Sequence, residues 1–271
     1  MRVGIHAGSR DAGQIADQCR QAGVDEVFLS ARAVPGFAER GYVSSDSVRA
    51  FGDTLAERGV RVSGMIAPVP SKEAVLGGDE AELADLCKTL KAMGEAGIEA
   101  TLFYPLDGFI YFQEYHPGRL MEVMPGEEGW DEIIRFFRRV VSVADEVNLK
   151  LANHLWAVDM LHTIWDAVES PNNGVTYCQG MYIFGEDPHT AVENWGIERI
   201  FFCHARNLVR HGPSFQEYEE VPLDSGDVDI ARCVRSLAEA GYDGVIVPEH
   251  LGEGGSISDA VAYLKKLIDG G

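Results

Sequence analysis

Four residues with metal-binding side chains lie near the C-terminal ends of four separate apolar runs. His154 does so in Lys150–Trp156, Cys178 in Gly174–Gly180, His204 in Ile200–Arg206 and Glu249 in Gly244–His250. A strand alternates its side chains, so residues two apart share a face. On that period Ala152, His154 and Trp156 fall together, as do Thr176, Cys178 and Gly180. Phe202, His204 and Arg206 form a third set, and Val245, Val247 and Glu249 a fourth. Each ligand-type residue therefore tops a small or apolar one. Two imidazoles, a thiol and a carboxylate are the N, S and O donors that divalent transition metals take.

Taken singly, each residue also has a structural reading. A buried cysteine is usually a small hydrophobe, a buried histidine is commonly a hydrogen-bonded core residue, and Glu249 could pair with a Lys or Arg. Their concurrence at equivalent positions favours a metal. Cys203 points away from the His204 face and is expected to pack. His6 ends the first strand and could line the pocket, whereas His116, His162, His189 and His211 show no comparable arrangement. No G-x-S-x-G elbow occurs. A catalytic Cys178 thiolate with His204 is the weaker alternative, because a second histidine and a glutamate nearby suit a metal better.

Holding four such ends together requires a regular frame. Strand-like runs at Val3–Ala7, Val27–Ser30, Val60–Pro68, Ile98–Tyr104, Lys150–Trp156, Val175–Cys178, Ile200–Arg206 and Val245–Pro248 alternate with helical ones. The helical stretches are Ala12–Ala22, Ser45–Glu57, Asp79–Ala96, Trp130–Val147, Asp159–Val168, Pro188–Trp195, Val228–Ala240 and Ile257–Ile268. In Asp79–Ala96 the apolar stripe is Leu83, Leu86, Leu90 and Met93, at helical spacing. Strict alternation implies a parallel sheet with right-handed crossovers, and eight units imply closure into an α/β (β/α)8 TIM barrel, one domain over residues 1–271. An open doubly wound sheet is disfavoured, since no G-x-G-x-x-G follows the first strand and no P-loop occurs. In such barrels the chemistry sits at the C-terminal strand ends, where the four residues fall. Two connections are long. Pro105–Gly129 carries Phe109, Tyr111, Phe112 and Tyr115 and reads equally as a wall of the site or as an interface in a homo-oligomer. Asn207–Asp224 reads as a polar connection.

With 43 acidic against 23 basic residues the formal net charge is -20, which argues against nucleic acid and against an anionic membrane surface. No apolar run approaches the roughly 20 residues that span a bilayer. The N-terminus reads directly as a strand rather than a secretory signal. The five cysteines are scattered with no C-x-x-C pair, so a reducing cytoplasm is expected.

The second half carries, in order, Gly174-Val-Thr-Tyr-Cys-Gln-Gly180, His204-Ala-Arg-Asn207, Ser225-Gly-Asp-Val-Asp229, Gly241-Tyr-Asp-Gly244 and Pro248-Glu-His250. In these motifs it resembles the mannonate dehydratase family, within the xylose isomerase-like barrels. The resemblance implies that His154, Cys178, His204 and Glu249 hold one divalent ion, Mn2+ in that family, and that His250 takes part in proton transfer. It further implies a hydro-lyase that removes water from a sugar acid to give a 2-keto-3-deoxy acid. The family's acidic ligand is Asp, so Glu249 shifts a carboxylate by one methylene.

The implied reaction needs the proton beside the carboxylate removed and the 3-hydroxyl protonated as it leaves, with a Lewis acid stabilising the enediolate. Arg206 is expected to clamp the substrate carboxylate bidentately, His250 to act as acid or base and Tyr104 to donate to the leaving hydroxyl, or to pack at the barrel rim. Ligand softness alone suggests Zn2+ instead of Mn2+. A sugar isomerase or epimerase uses the same barrel and the same stabilised enediolate, and is the rival reading. A binding protein without turnover ranks third.

Overall fold

The computed structural model describes residues 1–106, 127–155, 158–184, 186–212 and 217–270. The first expected strand is split into β1 (Arg2–Val3) and β2 (Ile5–His6). Then follow β3 (Glu26–Ser30), β4 (Arg61–Ile66), β5 (Ala100–Phe103), β6 (Lys150–Asn153), β7 (Asn173–Cys178) and β8 (Ile200–Ala205). A hairpin of β9 (Asn207–Arg210) and β10 (Tyr218–Val221) comes next, and β11 (Val245–Pro248) ends the series.

The main sheet runs β1-β11-β8-β7-β6-β5-β4-β3-β2 with parallel neighbours throughout. β1 bonds to β11 and β2 to β3, and a single residue, Gly4, separates the two halves. The first strand thus ties the two edges, and nine strand segments make a nearly closed TIM barrel. Gly4 permits the crossing. A Cβ there would lie 3.0 Å from Val245 Cγ1 and 3.1 Å from the Glu26 carbonyl oxygen.

Alternation along the strands sorts side chains into two cores. Phe28, Leu102, Ala152, Phe202, Val245 and Val247 fill the barrel interior, with the Phe28 and Phe202 rings 4.1 Å apart. Their out-of-phase neighbours Cys203, Ile246, Leu151 and Val175 pack outward against the helices. That outer layer is where the amphipathic stripes go: Leu83, Leu86, Leu90 and Met93 of the helix Glu80–Glu95 are all buried, as are Ile133, Phe136 and Phe137 of Glu127–Glu146. Side-chain caps set several helix starts. Asp11, Ser44 and Asp79 each accept a backbone N–H from the first turn.

The connection Asn207–Asp224, read only as polar, contains the antiparallel β9–β10 pair, in which Glu220 faces Leu208. Short helices also form at Phe37–Arg40 and Lys72–Val75, outside the helical stretches that the sequence predicts. Four residues are too short for apolar periodicity to register. The aromatic residues Phe109, Tyr111, Phe112 and Tyr115 lie outside the described residues, as does Trp156.

Candidate metal centre

His154, Cys178, His204 and Glu249 each offer one donor atom, and these atoms all lie within 4.8 Å of one another. The sheet brings them together in a simple way. Cys178 is the last residue of β7 and is in register with His204 on β8. His204 in turn is in register with Val247 on β11, two residues before Glu249. The backbone N–H of Glu249 donates to the Ala205 carbonyl at 2.9 Å, and that of His154 to Phe103 at 2.7 Å, so both residues just beyond strand ends are still pinned. Phe202 lies directly below, its ring 4.9 Å from that of His204. The apolar interior therefore forms the floor of the cluster.

The separations suit a single ion. Cys178 Sγ is 3.5 Å from Glu249 Oε1, and His204 Nδ1 is 3.4 Å from the same oxygen. A tetrahedral shell with bonds of about 2.1–2.3 Å has edges of about 3.4–3.8 Å. His204 is fully buried, yet its Nδ1 makes no hydrogen bond among the described residues. A buried nitrogen without a hydrogen bond, beside a thiol and a carboxylate, fits a cation better than it fits packing.

Burial dominates the electrostatics. It lowers the His154 imidazole to about 3, reinforced by the nearby Arg206 charge, and holds His204 well below its ordinary range. It raises the Cys178 thiol well above its usual value, helped by the Glu249 carboxylate, and lifts Glu249 to about 7 against the pull of Arg206. Without a cation the imidazoles are neutral, the thiol is protonated and Glu249 is poised near neutrality. A divalent ion would find two neutral nitrogens ready and would displace the protons of Cys178 and Glu249.

Around this cluster lie the other residues singled out by sequence. Tyr104 packs its ring against His154, with centroids 4.7 Å apart. His250 is half-exposed and follows Glu249 with φ 49, a left-handed conformation that strains a non-glycine residue by roughly 1–2 kcal/mol. That turn leaves its Nδ1 3.9 Å from Glu220 and its Nε2 4.0 Å from Glu249. Burial lowers the His250 pKa, with Arg206 acting in the same sense and Glu220 opposing. Arg206 is buried just past the end of β8. Its Nε donates to both Glu220 oxygens at 3.0 and 3.2 Å, and its Nη2 donates to Oε1 as well. Burial works most strongly against the Arg206 charge, but the Glu220 contact together with the nearby Cys178 and Glu249 raises the pKa overall. A Cβ at Gly180 would come 2.7 Å from Arg206 Cδ, so glycine is what lets the arginine lie there.

The bidentate partner expected of a substrate carboxylate is thus supplied by the chain itself. Glu220 escaped the sequence reading because it sits in the connection after β8. The signal was present, since Gly212-Pro213 between two short runs is a turn signature. Other motif residues turn out to be structural. Asn207 donates through Nδ2 to the Leu223 and Val228 carbonyls and accepts from the Leu208 and Val228 amides, clipping the hairpin to the chain beyond it. Asp227 accepts from the Arg210 amide, and Asp229 caps the helix Ile230–Glu239.

Comparison with known proteins agrees with this architecture. Mannonate dehydratase 2 of Halalkalibacterium halodurans is 31% identical over 142 residues, which cover 46% of this chain and 41% of that relative. The chain thus spans about two fifths of the length of the curated relative it matches. The crystal structure of mannonate dehydratase from Streptococcus suis serotype 2 superposes with a TM-score of 0.77 at 15% identity, covering 100% of this chain and 94% of that one. An L-ribulose 3-epimerase structure superposes with a TM-score of 0.71 at 14% identity, covering 99% and 95%. The profile of the family described as xylose isomerase-like TIM barrel matches residues 16–267, and the chain belongs to that family.

Proposed function

We propose that the protein is a divalent-metal-dependent hydro-lyase that removes water from a D-mannonate-like sugar acid to give a 2-keto-3-deoxy acid. The observation that carries this reading is the cluster of His154, Cys178, His204 and Glu249 donor atoms at the C-terminal strand ends. The similarity to mannonate dehydratases supports the reaction class. The ion is Mn2+ on the family resemblance of the sequence motifs, with Zn2+ the choice of the donor softness. When bound, it supplies Lewis-acid charge for the carbon acid to be deprotonated.

The remaining steps fall to the chain. His250, open to solvent on one side and set between two carboxylates, takes the proton from the carbon beside the substrate carboxylate. Tyr104, packed against His154, donates to the 3-hydroxyl as it leaves as water. The resulting enol returns a proton to C3 and becomes the 2-keto acid. Arg206 is spoken for by Glu220 and contributes a fixed positive charge and a fixed hairpin; a substrate carboxylate reaching it shares it with Glu220. The buried Phe202 and Phe28 floor keeps water from the underside.

One observation favours a second reading. Because Glu220 already balances the Arg206 charge, the pocket also suits an uncharged sugar, as an isomerase or epimerase requires.

Metal analysis comes first. Native protein retains about one equivalent of Mn2+ or Zn2+, and Cys178→Ala retains far less. Metal-loaded protein is then given D-mannonate and, separately, neutral ketoses. Formation of a 2-keto-3-deoxy acid supports the hydro-lyase. Interconversion of ketoses with no loss of water supports the isomerase. A native protein that holds no metal after reconstitution sinks both. In His250→Asn metal retention stays and turnover is lost; retained turnover removes His250 from the mechanism.

A further inference from the structure

His6, at the end of β2, approaches the cluster from behind. Its Nε2 lies 2.8 Å from His204 Nε2, a hydrogen bond between two imidazoles, with ring centroids 5.1 Å apart. The geometry of His204 makes this contact consequential. Its Nδ1 is the nitrogen turned toward Glu249, 3.4 Å away, while its Nε2 is turned away from the cluster toward His6.

We infer that His6 is the positioning residue of the metal centre, holding His204 in the tautomer and ring orientation that present Nδ1 to the ion. This rests on the reading of the cluster as a metal site. A neutral imidazole has one N–H, and a nitrogen that binds a cation must be the one without it. If His204 binds through Nδ1, its proton is on Nε2, and a 2.8 Å contact there requires an acceptor. His6 Nε2 is that acceptor, which leaves the His6 proton on Nδ1. Ligating histidines generally donate their second N–H to a carboxylate, a backbone carbonyl or water. Here an imidazole from the first strand takes that place.

The surroundings keep His6 in this role. Its ring packs at 6.2 Å and 89° against Phe28 and at 6.0 Å against Phe202, so two aromatic walls set its plane. The Nε2 with which it could itself bind an ion is engaged by His204, and among the described residues it is not one of the four clustered donors. The strand crossing at Gly4 places it there, since β2 has left β11 and pairs with β3, with His6 in register with Phe28.

The test compares Zn2+ and Mn2+ affinity, by competition with a chromophoric chelator, for native protein, His6→Phe and His6→Gln. Phenylalanine suits the aromatic walls but cannot accept a hydrogen bond. Glutamine can place its side-chain oxygen close to where Nε2 was. The expected result is an affinity about 10- to 100-fold weaker in His6→Phe, with His6→Gln within about threefold of native. Nitrogen-15 spectra of the Zn2+-loaded native protein should show His204 protonated at Nε2 and His6 at Nδ1. Native-like affinity in His6→Phe overturns the inference while leaving the metal site standing. Equal weakening in both variants also overturns it, because packing rather than acceptance would then be at work. A native protein that binds neither ion overturns the site reading and this inference together. If His6→Phe does not fold, His6→Leu takes its place with the same expectation.

Discussion

The barrel holds a largely buried glutamate near each of its mouths, and the two are treated differently. Glu26, which opens β3 at the N-terminal end, is almost fully buried. It accepts from Arg2 at 3.2 Å and from Arg61 and Ser63, so its charge is matched by groups that the fold itself provides. Glu249, just past β11 at the other mouth, has a thiol and an imidazole nitrogen at 3.4–3.5 Å and no cation in bonding contact among the described residues. Burial lifts its pKa to about 7. One end is complete as it stands, and the other is a set of donors arranged around a shared point. A buried carboxylate with its cations in place is architecture; one with soft donors and no cation calls for a ligand.

That contrast can be broken or sharpened by experiment. The largest effect is expected from the layer between the two ends. Phe202→Ala removes a fully buried ring from the interior plug and should lower unfolding stability by about 3–5 kcal/mol in urea titration. A loss below about 1 kcal/mol would mean that the floor of the site is not packed as described.

Next is Glu249→Gln. It should weaken metal binding on the order of a hundredfold or more, read by chelator competition, while the metal-free protein stays folded. Unchanged affinity would remove Glu249 from the donor set.

The same variant yields a pH signature. The folded pKa of Glu249 lies above its unfolded value, so between pH 4.5 and about 7 the native state holds a proton that the unfolded state has released. Metal-free native protein therefore loses stability from this group as pH rises through that window, and the loss is complete above it. Glu249→Gln removes the loss. The stability difference between the two proteins should grow from pH 4.5 to 7 and level off at on the order of 3 kcal/mol. A difference that is flat with pH would show that the carboxylate titrates normally. Histidines act oppositely: His154 and His204 have lowered pKa values, so both proteins weaken as pH falls below about 6.5.

The smallest effect is at the other mouth. Glu26→Gln should cost about 1–2 kcal/mol, less than a fully buried ion pair, because the Arg2 and Arg61 side chains are 36% and 57% exposed and can rehydrate. Metal binding should not change. If it weakens as much as in Glu249→Gln, the two mouths are coupled through the plug and the contrast between them fails.

Much of the frame was legible because it depends on period alone. Phe202 inside and Cys203 outside follow from alternation, and the burial of Leu83, Leu86, Leu90 and Met93 follows from helical spacing. The four clustered residues could be named in advance because each tops a small or apolar residue on its own strand. Glu220 could not, since it reaches Arg206 only once β10 folds back on β9, and the pairing of two four-residue strands leaves little trace in composition. The same holds for Asn207, which resembles a site residue in the motif His204-Ala-Arg-Asn207 and serves instead as a clip.

By itself, then, the order of residues determined the alternation of strands and helices, the inward faces and the types of the donors, all of which are properties of one segment at a time. Tertiary structure decided the contacts between segments distant in sequence. The first strand splits at Gly4 to join both edges of the sheet, His6 meets His204 across 198 positions, and Arg206 takes a partner from the hairpin. Such contacts are set by closure of the sheet and by the hydrogen-bonding demands of buried groups, which no local period encodes.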